Sequence, residues 1–557
     1  MAWDVIDTDV LIIGSGGAGC WAAIAADEVG VDITIVSKGL FTKDGSTTMA
    51  TGAVNIAIGH ADPRDTPRQH FIDTIEGGDY LNDQQLARLI CEEIFPRLID
   101  VETFGMLYAR RDEGKLLLSR VGGHTYPRTT VLGDWTGSYL MRVLGREVMR
   151  RNVRILEDFV VTSLLESDGK IVGAVGFDMQ SSECVVIRAT STVLACGGAG
   201  QIFEVTSNPA HITGDGYAMA YRIGAELIDL EETQFHPTGL AYPIGKRGTL
   251  VTELCRGLGA KLFNINNERF MFKYDSRGEL AERDVVARGN YREIMEGRGT
   301  PHGGVCLDCT YIPEEKRPIL RETYIKIKML VGVDMWEEPI EVVPTAHFFM
   351  GGLRINSHTE TNVPGLFACG EVVGGTHGSN RLGANAKNEL FVFGYRAGKF
   401  AAEHSRRAVK LGVNWDHVKE EESRIHGLFR NGTPPTELKK SLKNIMSENV
   451  GVGRSEEGLK RAIYLVEGLR EREVPRMGVS EDGRKYRSDL VNALEIYNML
   501  DVAELVARSA LFRTESRGAH YRIDYPKRDD ENWRFHTGVK LDKKKMTISK
   551  TPIKTIE

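Results

Sequence analysis

Residues 9–19 read DVLIIGSGGAG, and the fold follows from how that stretch continues. The apolar run Val10 to Ile13 has the length and β-branched content of a buried strand. It enters Gly14-Ser-Gly16-Gly-Ala-Gly19 and then the helix-forming CWAAIAADEVG; a second strand, ITIVSKG, closes the unit at residues 33–39. A GxGxxG alone is weak. Between a strand and a helix, with the second strand on schedule, it is a dinucleotide-binding fingerprint. Gly14 permits the tight turn, Gly16 lets backbone approach a pyrophosphate at the helix N-terminus, and Gly19 lets the helix lie close on the strand. The fold class is therefore α/β.

The second strand ends in Ser37-Lys38, where many such sites place an acid for the ribose hydroxyls. The ribose contact must be made another way. Two later segments return to the same kind of site. STVLACGGAG (191–200) runs an apolar strand into Gly197-Gly198, and TGDGYAMAYRIGAEL (213–227) places Asp215 before another helix. PGLFACGEVVGGTHGSN (364–380) repeats strand, glycine, acid and glycines, with Glu371 at the strand end. A dinucleotide that needs three chain segments favours FAD over NAD.

Composition narrows the class. The 557 residues, 41% hydrophobic and 27% charged, suit a globular protein of several domain-sized units. A net charge of −6, with no basic stripe, argues against nucleic acid as a partner. The N-terminus lacks the marks of a secretory signal, and no apolar run is long enough to span a membrane. The cysteines are dispersed, as in a reducing compartment. The CxxC Cys306-Leu-Asp-Cys309 falls in a strand-like stretch that would turn the two thiols apart, so no metal or iron–sulfur site is expected in this chain.

Between the glycine clusters lies a set of polar residues. QFHPTG (234–239) carries His236, and TELCRG (252–257) carries Thr252, Glu253 and Arg256. ELAERDVVAR brings Arg283, PTAHFFMGG His347 and SNRLGANA Arg381. Glu253 and Arg256, three apart, share a helical face and in isolation would pass for a surface ion pair. Together the set suits a dianionic ligand, since guanidinium forks grip carboxylates and imidazoles donate further hydrogen bonds.

In order, GSGGAG, GGHTYPR, HPTG, TELCRG, GELAERDVVAR, PTAHFFMGG, GSNRLGAN and SRGAHYRIDYPKRDDENW resemble the flavoprotein subunits of succinate dehydrogenase and fumarate reductase, with L-aspartate oxidase a near relative. The resemblance covers nearly the whole chain. It implies a Rossmann-type FAD-binding domain (1–235 and 345–410) interrupted by an α+β capping domain (236–344), then a helical domain (411–515) and a C-terminal region (516–557). It also implies that His236, Thr252, His347 and Arg381 hold a C4 dicarboxylate, that Arg283 transfers the proton, and that Glu253 and Arg256 relay it. The cofactor set becomes Gly14, Gly16, Gly17, Ala18, Gly19, Ser37, Lys38, Ser46, Thr47, Gly52, Gly198, Asp215, Glu371 and Asn385. An iron–sulfur electron-transfer subunit is the expected partner, with further membrane or soluble redox subunits. The resemblance places the chain in the cytoplasm or, through partners, on the inner face of the membrane. The helical domain has its own local signals: SEEGLKRAIYLVEGL aligns Leu459, Ile463, Val466 and Leu469, with Ser455 as N-cap, and NGTPPTE (431–437) reads as an interhelical loop.

Departures from the family pattern refine this. Membrane-bound members carry a histidine bonded to FAD; the matching stretch here, DGSTTMATGA, has Ser46, so FAD is expected without a covalent bond and at lower potential. Aspartate oxidases resemble one another in a glutamate before GGH; Val121 stands there, and valine cannot pair with a substrate ammonium. Dicarboxylate enzymes often have phenylalanine at that place, and serine where Ala386 stands. The tail LDKKKMTISKTPIKTIE would pass near the iron–sulfur subunit or lie solvated. The physiological direction and the donor (quinol, thiol or ferredoxin-like protein) stay open, as do the rival roles of L-aspartate oxidase and of a flavin electron relay.

Overall fold

The computed structural model describes residues 4–50, 53–111, 113–130, 136–181, 183–480 and 486–556; Gly52 of the expected cofactor set lies outside them. The strand Asp4–Ile13 pairs in parallel with Ile33–Val36 on one side and with Cys184–Leu194 on the other. Ile33–Val36 pairs in turn with Val153–Leu156, and Leu366–Ala368 joins Cys184–Leu194, again in parallel. An antiparallel pair, Phe159–Ser167 and Lys170–Asp178, completes a sheet of seven strands among the described residues. Val10 to Ile13 and Ile33 to Val36, in the central strands, are almost fully buried, which accounts for the unbroken apolar runs in the sequence. The helix Asn385–Ser405 crosses the first helix, Gly17–Val29, at close range: a Cβ at Gly398 would sit 2.0 Å from the Ala22 carbonyl oxygen.

The cap has its own core. Leu240, Val251, Cys255, Leu262, Phe270, Val305, Leu307, Ile340 and Val342 form a hydrophobic cluster separate from the main one. Its sheet runs Thr233–Leu240, Ile340–Phe349, Val305–Asp308, Lys261–Phe263, all antiparallel. The first two strands contribute to both cores: Phe235, Ala346 and Phe349 belong to the main cluster, and Leu240, Ile340 and Val342 to this one. Cys306 lies on the strand Val305–Asp308 and Cys309 just beyond it.

Helices Trp415–His426, Pro435–Asn449, Glu456–Gly468 and Ser488–Phe512 follow. Ser455 caps the third through its hydroxyl, which accepts from the Gly458 amide at 3.2 Å. Leu459, Ile463 and Val466 are buried, with Leu469 partly so. The expected loop at 431–437 is shorter: it ends at Pro434, and residues 435–437 already form the first turn of the next helix, with Pro435 as its first residue. The C-terminal stretch is ordered against the body: His536–Asp542 and Lys545–Thr551 form a hairpin, and the Lys554 carbonyl accepts from the Gln84 amide at 2.9 Å. Among the described residues, no helix is long and apolar enough to cross a membrane.

Candidate active site

A cavity of about 1400 Å³ runs between the sheet's carboxyl edge and the cap. One end is made of backbone. Gly14 has φ +110°, and a Cβ there would lie 2.3 Å from the Ala195 carbonyl oxygen; a Cβ on Gly19 would lie 1.9 Å from the Gly14 carbonyl oxygen. Only glycine permits this strand-to-helix turn. Gly16 is the N-cap of Gly17–Val29 and offers no side-chain cap; the Gly17 amide donates to Thr47 Oγ1 at 3.2 Å, and the positive end of the helix faces the cavity. Gly14, Gly16, Gly17, Ala18, Ser37, Lys38, Ser46, Thr47, Asp215 and Glu371 line the wall. The Ser46 hydroxyl oxygen is buried without a partner. An open helix terminus, glycines that admit close approach and an unpaired hydroxyl fit a bound dinucleotide.

Three members of the expected cofactor set do not line the cavity. Gly19 and Gly198 act behind it through backbone fit; a Cβ on Gly198 would meet Glu371 Oε1 at 2.3 Å. Asn385 is buried in a polar network: its Oδ1 accepts from Asn55 Nδ2 at 2.7 Å and from His70 Nε2 at 2.8 Å, and its Nδ2 donates to Thr74 Oγ1 at 3.1 Å. The side chain leaves the wall because those buried groups need it.

Lys38 stands where an acid is usual. Its ammonium donates to Thr213 Oγ1 at 2.9 Å, Asp215 Oδ2 at 2.6 Å and Glu495 Oε1 at 2.6 Å, which uses all three of its donors. Glu495 comes from the helical domain and also pairs with Lys439. Burial raises the Glu371 carboxyl to about 8, against the Phe349 amide and Arg381, which favour its ionised form. Burial brings Lys387, also on the wall, down to about 7.

The other end is made of charged side chains. His236, Thr252, Glu253, Arg256, Arg283, His347 and Arg381, scattered over more than a hundred residues, converge on the same wall. Arg283 opens a helix, Arg283–Glu293, and donates from Nε (2.9 Å) and Nη2 (2.7 Å) to Glu253 Oε2. Arg256 Nη2 reaches the other Glu253 oxygen at 3.4 Å, while its Nη1 is tied to the Glu279 carbonyl at 2.7 Å. TELCRG thus opens a short helix, Leu254–Leu258, whose N-cap Glu253 is set between two guanidiniums. Burial would raise Glu253, but Arg283, Arg256 and Arg381 outweigh it and hold the carboxyl at about 2. Arg381 lies with its guanidinium 4.5 Å from the Phe348 ring centre; burial and the nearby Arg283 bring it down to about 9, still protonated at neutral pH.

The imidazoles of His236 and His347 lie 5.3 Å apart, edge to face. Burial, reinforced for His236 by Arg283, Arg256 and Arg381 and for His347 by His236 and Arg381, drives both well below the usual histidine range. Both are neutral. The Thr238 amide donates to His236 Nδ1 at 3.2 Å, which leaves the ring proton on Nε2. His347 Nδ1 meets the Ser207 hydroxyl at 2.7 Å.

One residue of this end escaped the sequence reading. Gln234 Oε1 accepts from Arg283 Nη1 at 3.1 Å and from Arg381 Nη2 at 3.0 Å. A signal for it was present: in QFHPTG it stands two before His236, on the same face of a strand. Ser207 and Glu495 had no local signal. Val121 lines the wall as well, its Cγ2 3.0 Å from where a Gly383 Cβ would be.

Comparison with known proteins identifies the family. Residues 9–386 match the family described as FAD binding domain, and residues 439–557 the family described as fumarate reductase flavoprotein C-term. The chain is 48% identical over 527 residues to a subunit of the fumarate reductase (CoM/CoB) of Methanothermobacter marburgensis, covering 94% of this chain and 96% of that one. It is 36% identical to an L-aspartate oxidase of Streptomyces coelicolor, covering 96% and 92%. In three dimensions it matches the flavoprotein of an E. coli quinol fumarate reductase with TM-score 0.94 at 32% identity, covering 99% and 98%. The chain belongs to the succinate dehydrogenase/fumarate reductase flavoprotein family and is an FAD-dependent oxidoreductase of that type.

Proposed function

We propose that the chain interconverts fumarate and succinate on a non-covalently held FAD, exchanging electrons with an iron–sulfur partner subunit. The observation that carries this reading is charge balance. Within the network that Glu253 and Gln234 tie together, Arg256, Arg283 and Arg381 with the ionised Glu253 carry two net positive charges, and the two histidines add none. Two positive charges match a dicarboxylate dianion.

The roles follow from the groups. Arg381 and the Nε2–H of His236 hold carboxylate oxygens, with His347 and Thr252 beside them. FAD, when bound, supplies a carrier that exchanges a hydride with one carbon of the substrate. Arg283 moves the proton at the neighbouring carbon. A guanidinium with an ordinary pKa above ~12 is a poor acid unless its proton is replaced at once. Glu253, held by both Nε and Nη2 of Arg283, takes up a proton passed along from Arg256 and hands it to Arg283 as Arg283 gives its own to the substrate carbon. Gly14, Gly16, Gly17, Lys38 with Asp215, and Glu371 hold the cofactor. Ser46 offers a hydroxyl that cannot form the histidyl bond, so acid precipitation should leave the flavin in the supernatant.

The name of the M. marburgensis relative joins fumarate reduction to CoM/CoB. We take fumarate reduction as the working direction, with a thiol pair as the electron source through the partner subunit. Viologen-linked fumarate reduction by the purified chain, and thiol-dependent reduction by its native assembly, test the two parts separately. Aspartate-dependent peroxide formation would instead establish an aspartate oxidase and overturn the weight placed on Val121.

A further inference from the structure

Gln234 is fully buried and held at both ends of its carboxamide. Its Nε2 donates to Asn380 Oδ1 at 3.0 Å and to the Arg381 carbonyl at 2.9 Å, which fixes the amide's orientation and turns Oε1 toward the two guanidiniums. That single oxygen accepts from Arg283 on one side and Arg381 on the other, at 3.1 and 3.0 Å. Two like charges are thereby held against one neutral acceptor. Arg283 is gripped on its Nε/Nη2 edge by Glu253 and on Nη1 by Gln234, so its plane has no freedom to rotate. Arg381 is tied at Nη1 to the Leu382 carbonyl (3.3 Å) and at Nη2 to Gln234. Among the described residues, Gln234 is the side chain that joins the two arginines.

We infer that Gln234 is a positioning residue with two effects. Its bridging oxygen sets the offset between the carboxylate clamp and the proton-moving arginine, and its neutrality preserves the double positive charge that selects a dianion. A glutamate has the same size and accepts from the same two donors, but it would cancel one of those charges and give up the two donations to Asn380 Oδ1 and the Arg381 carbonyl. The first effect rests on the dicarboxylate reading proposed above; the second is a statement about charge selection and stands apart from it.

The test uses the FAD-loaded chain and two variants. Gln234→Glu keeps shape and adds charge; Gln234→Met keeps charge and removes the bridge, with the shorter, neutral Gln234→Asn replacing it should the methionine variant fail to retain flavin. Binding is read from the flavin absorbance on titration with malonate and with monomethyl malonate. A unit charge about 5 Å from a carboxylate at an effective dielectric of ~20 weakens its binding on the order of 300-fold, and one about 8 Å away on the order of 30-fold, so the dianion loses more than the monoanion. Gln234→Glu should therefore compress the preference for malonate over its ester by about thirtyfold. Gln234→Met should keep that preference while kcat for fumarate falls on the order of tenfold to a hundredfold, as for a misplaced group, with KM within about threefold. An unchanged malonate-to-ester ratio in Gln234→Glu, or a parental kcat in the bridge-removing variant, overturns the inference. A parent that binds malonate but does not turn over fumarate refutes the functional reading instead, and the ratio in Gln234→Glu still decides whether Gln234 sets charge selection.

Discussion

The two ends of the cavity are built on different principles. At the nucleotide end the wall is backbone, an open helix terminus and glycines, and its one prominent cation, Lys38, has every donor satisfied within the protein. At the substrate end the wall is side chains whose cations outnumber their partners, and both Arg256 and Arg381 keep a buried Nε without one. The nucleotide end leaves helix-terminal backbone and the Ser46 hydroxyl for its ligand; the substrate end leaves charge. Damage to the first should cost cofactor and stability, and damage to the second should cost rate.

Arg283→Ala is the strongest way to break this contrast. It removes the group proposed above to move the proton and leaves Glu253 with Arg256 alone, so dye-linked turnover of fumarate or succinate should fall on the order of 10³-fold or more. Flavin content, read from the absorbance of the purified protein, should not change. Loss of flavin in that variant would mean that the two ends are not separable.

Lys38→Met makes the opposite cut. It leaves Asp215 and Glu495 as buried carboxylates without their shared cation, at a cost of about 3–5 kcal/mol. Thermal unfolding should drop accordingly and flavin should be lost on dilution, while kcat per bound flavin stays near the parental value. A fall in kcat per flavin would show that the charge lock reaches the substrate end.

The same contrast explains what could be read from the amino acids. DVLIIGSGGAG announces the nucleotide end because strand, turn and helix are consecutive, and their glycines are required by contacts within that short unit. The substrate end is legible only as co-occurrence, since His236, Arg283 and Arg381 become neighbours through the two strands shared by both cores and the cap. Gln234 was hidden because an uncharged amide next to a histidine has no chemistry of its own; it gains a role only when two distant guanidiniums arrive at its oxygen. Lys38 could be seen as an exception to the acidic rule, but its partner Glu495 lies in another domain, far along the chain.

Glu371 sharpens the comparison through pH. Its folded-state pKa is raised from 4.5 to about 8 by burial, so its neutral form is favoured in the native protein. A raised carboxyl contributes its full stability below pH 4.5 and loses it as the pH climbs through about 8. The apoprotein should therefore lose up to ~5 kcal/mol from this group between those limits. In Glu371→Gln that part of the decline should vanish in urea titrations at a series of pH values; an unaltered slope would place the titrating group elsewhere.

Asn385→Ala gives the smallest effect and tests the boundary of the nucleotide end. In the sequence the residue sits beside the cavity-lining Gly383, Ala384 and Ala386, and its neighbours do form the wall. Its amide nevertheless serves Asn55, His70 and Thr74 behind that wall. His70 is neutral, pushed down to about 3 by burial and by Arg128, so its Nε2–H depends on the Asn385 oxygen. Truncation strands that donor at a cost of about 1–3 kcal/mol. The flavin dissociation constant should move less than about threefold, because nothing facing the cavity is removed. A larger change would mean that the network sets the position of the wall itself, and that the nucleotide end, like the substrate end, depends on buried side chains as well as on its backbone.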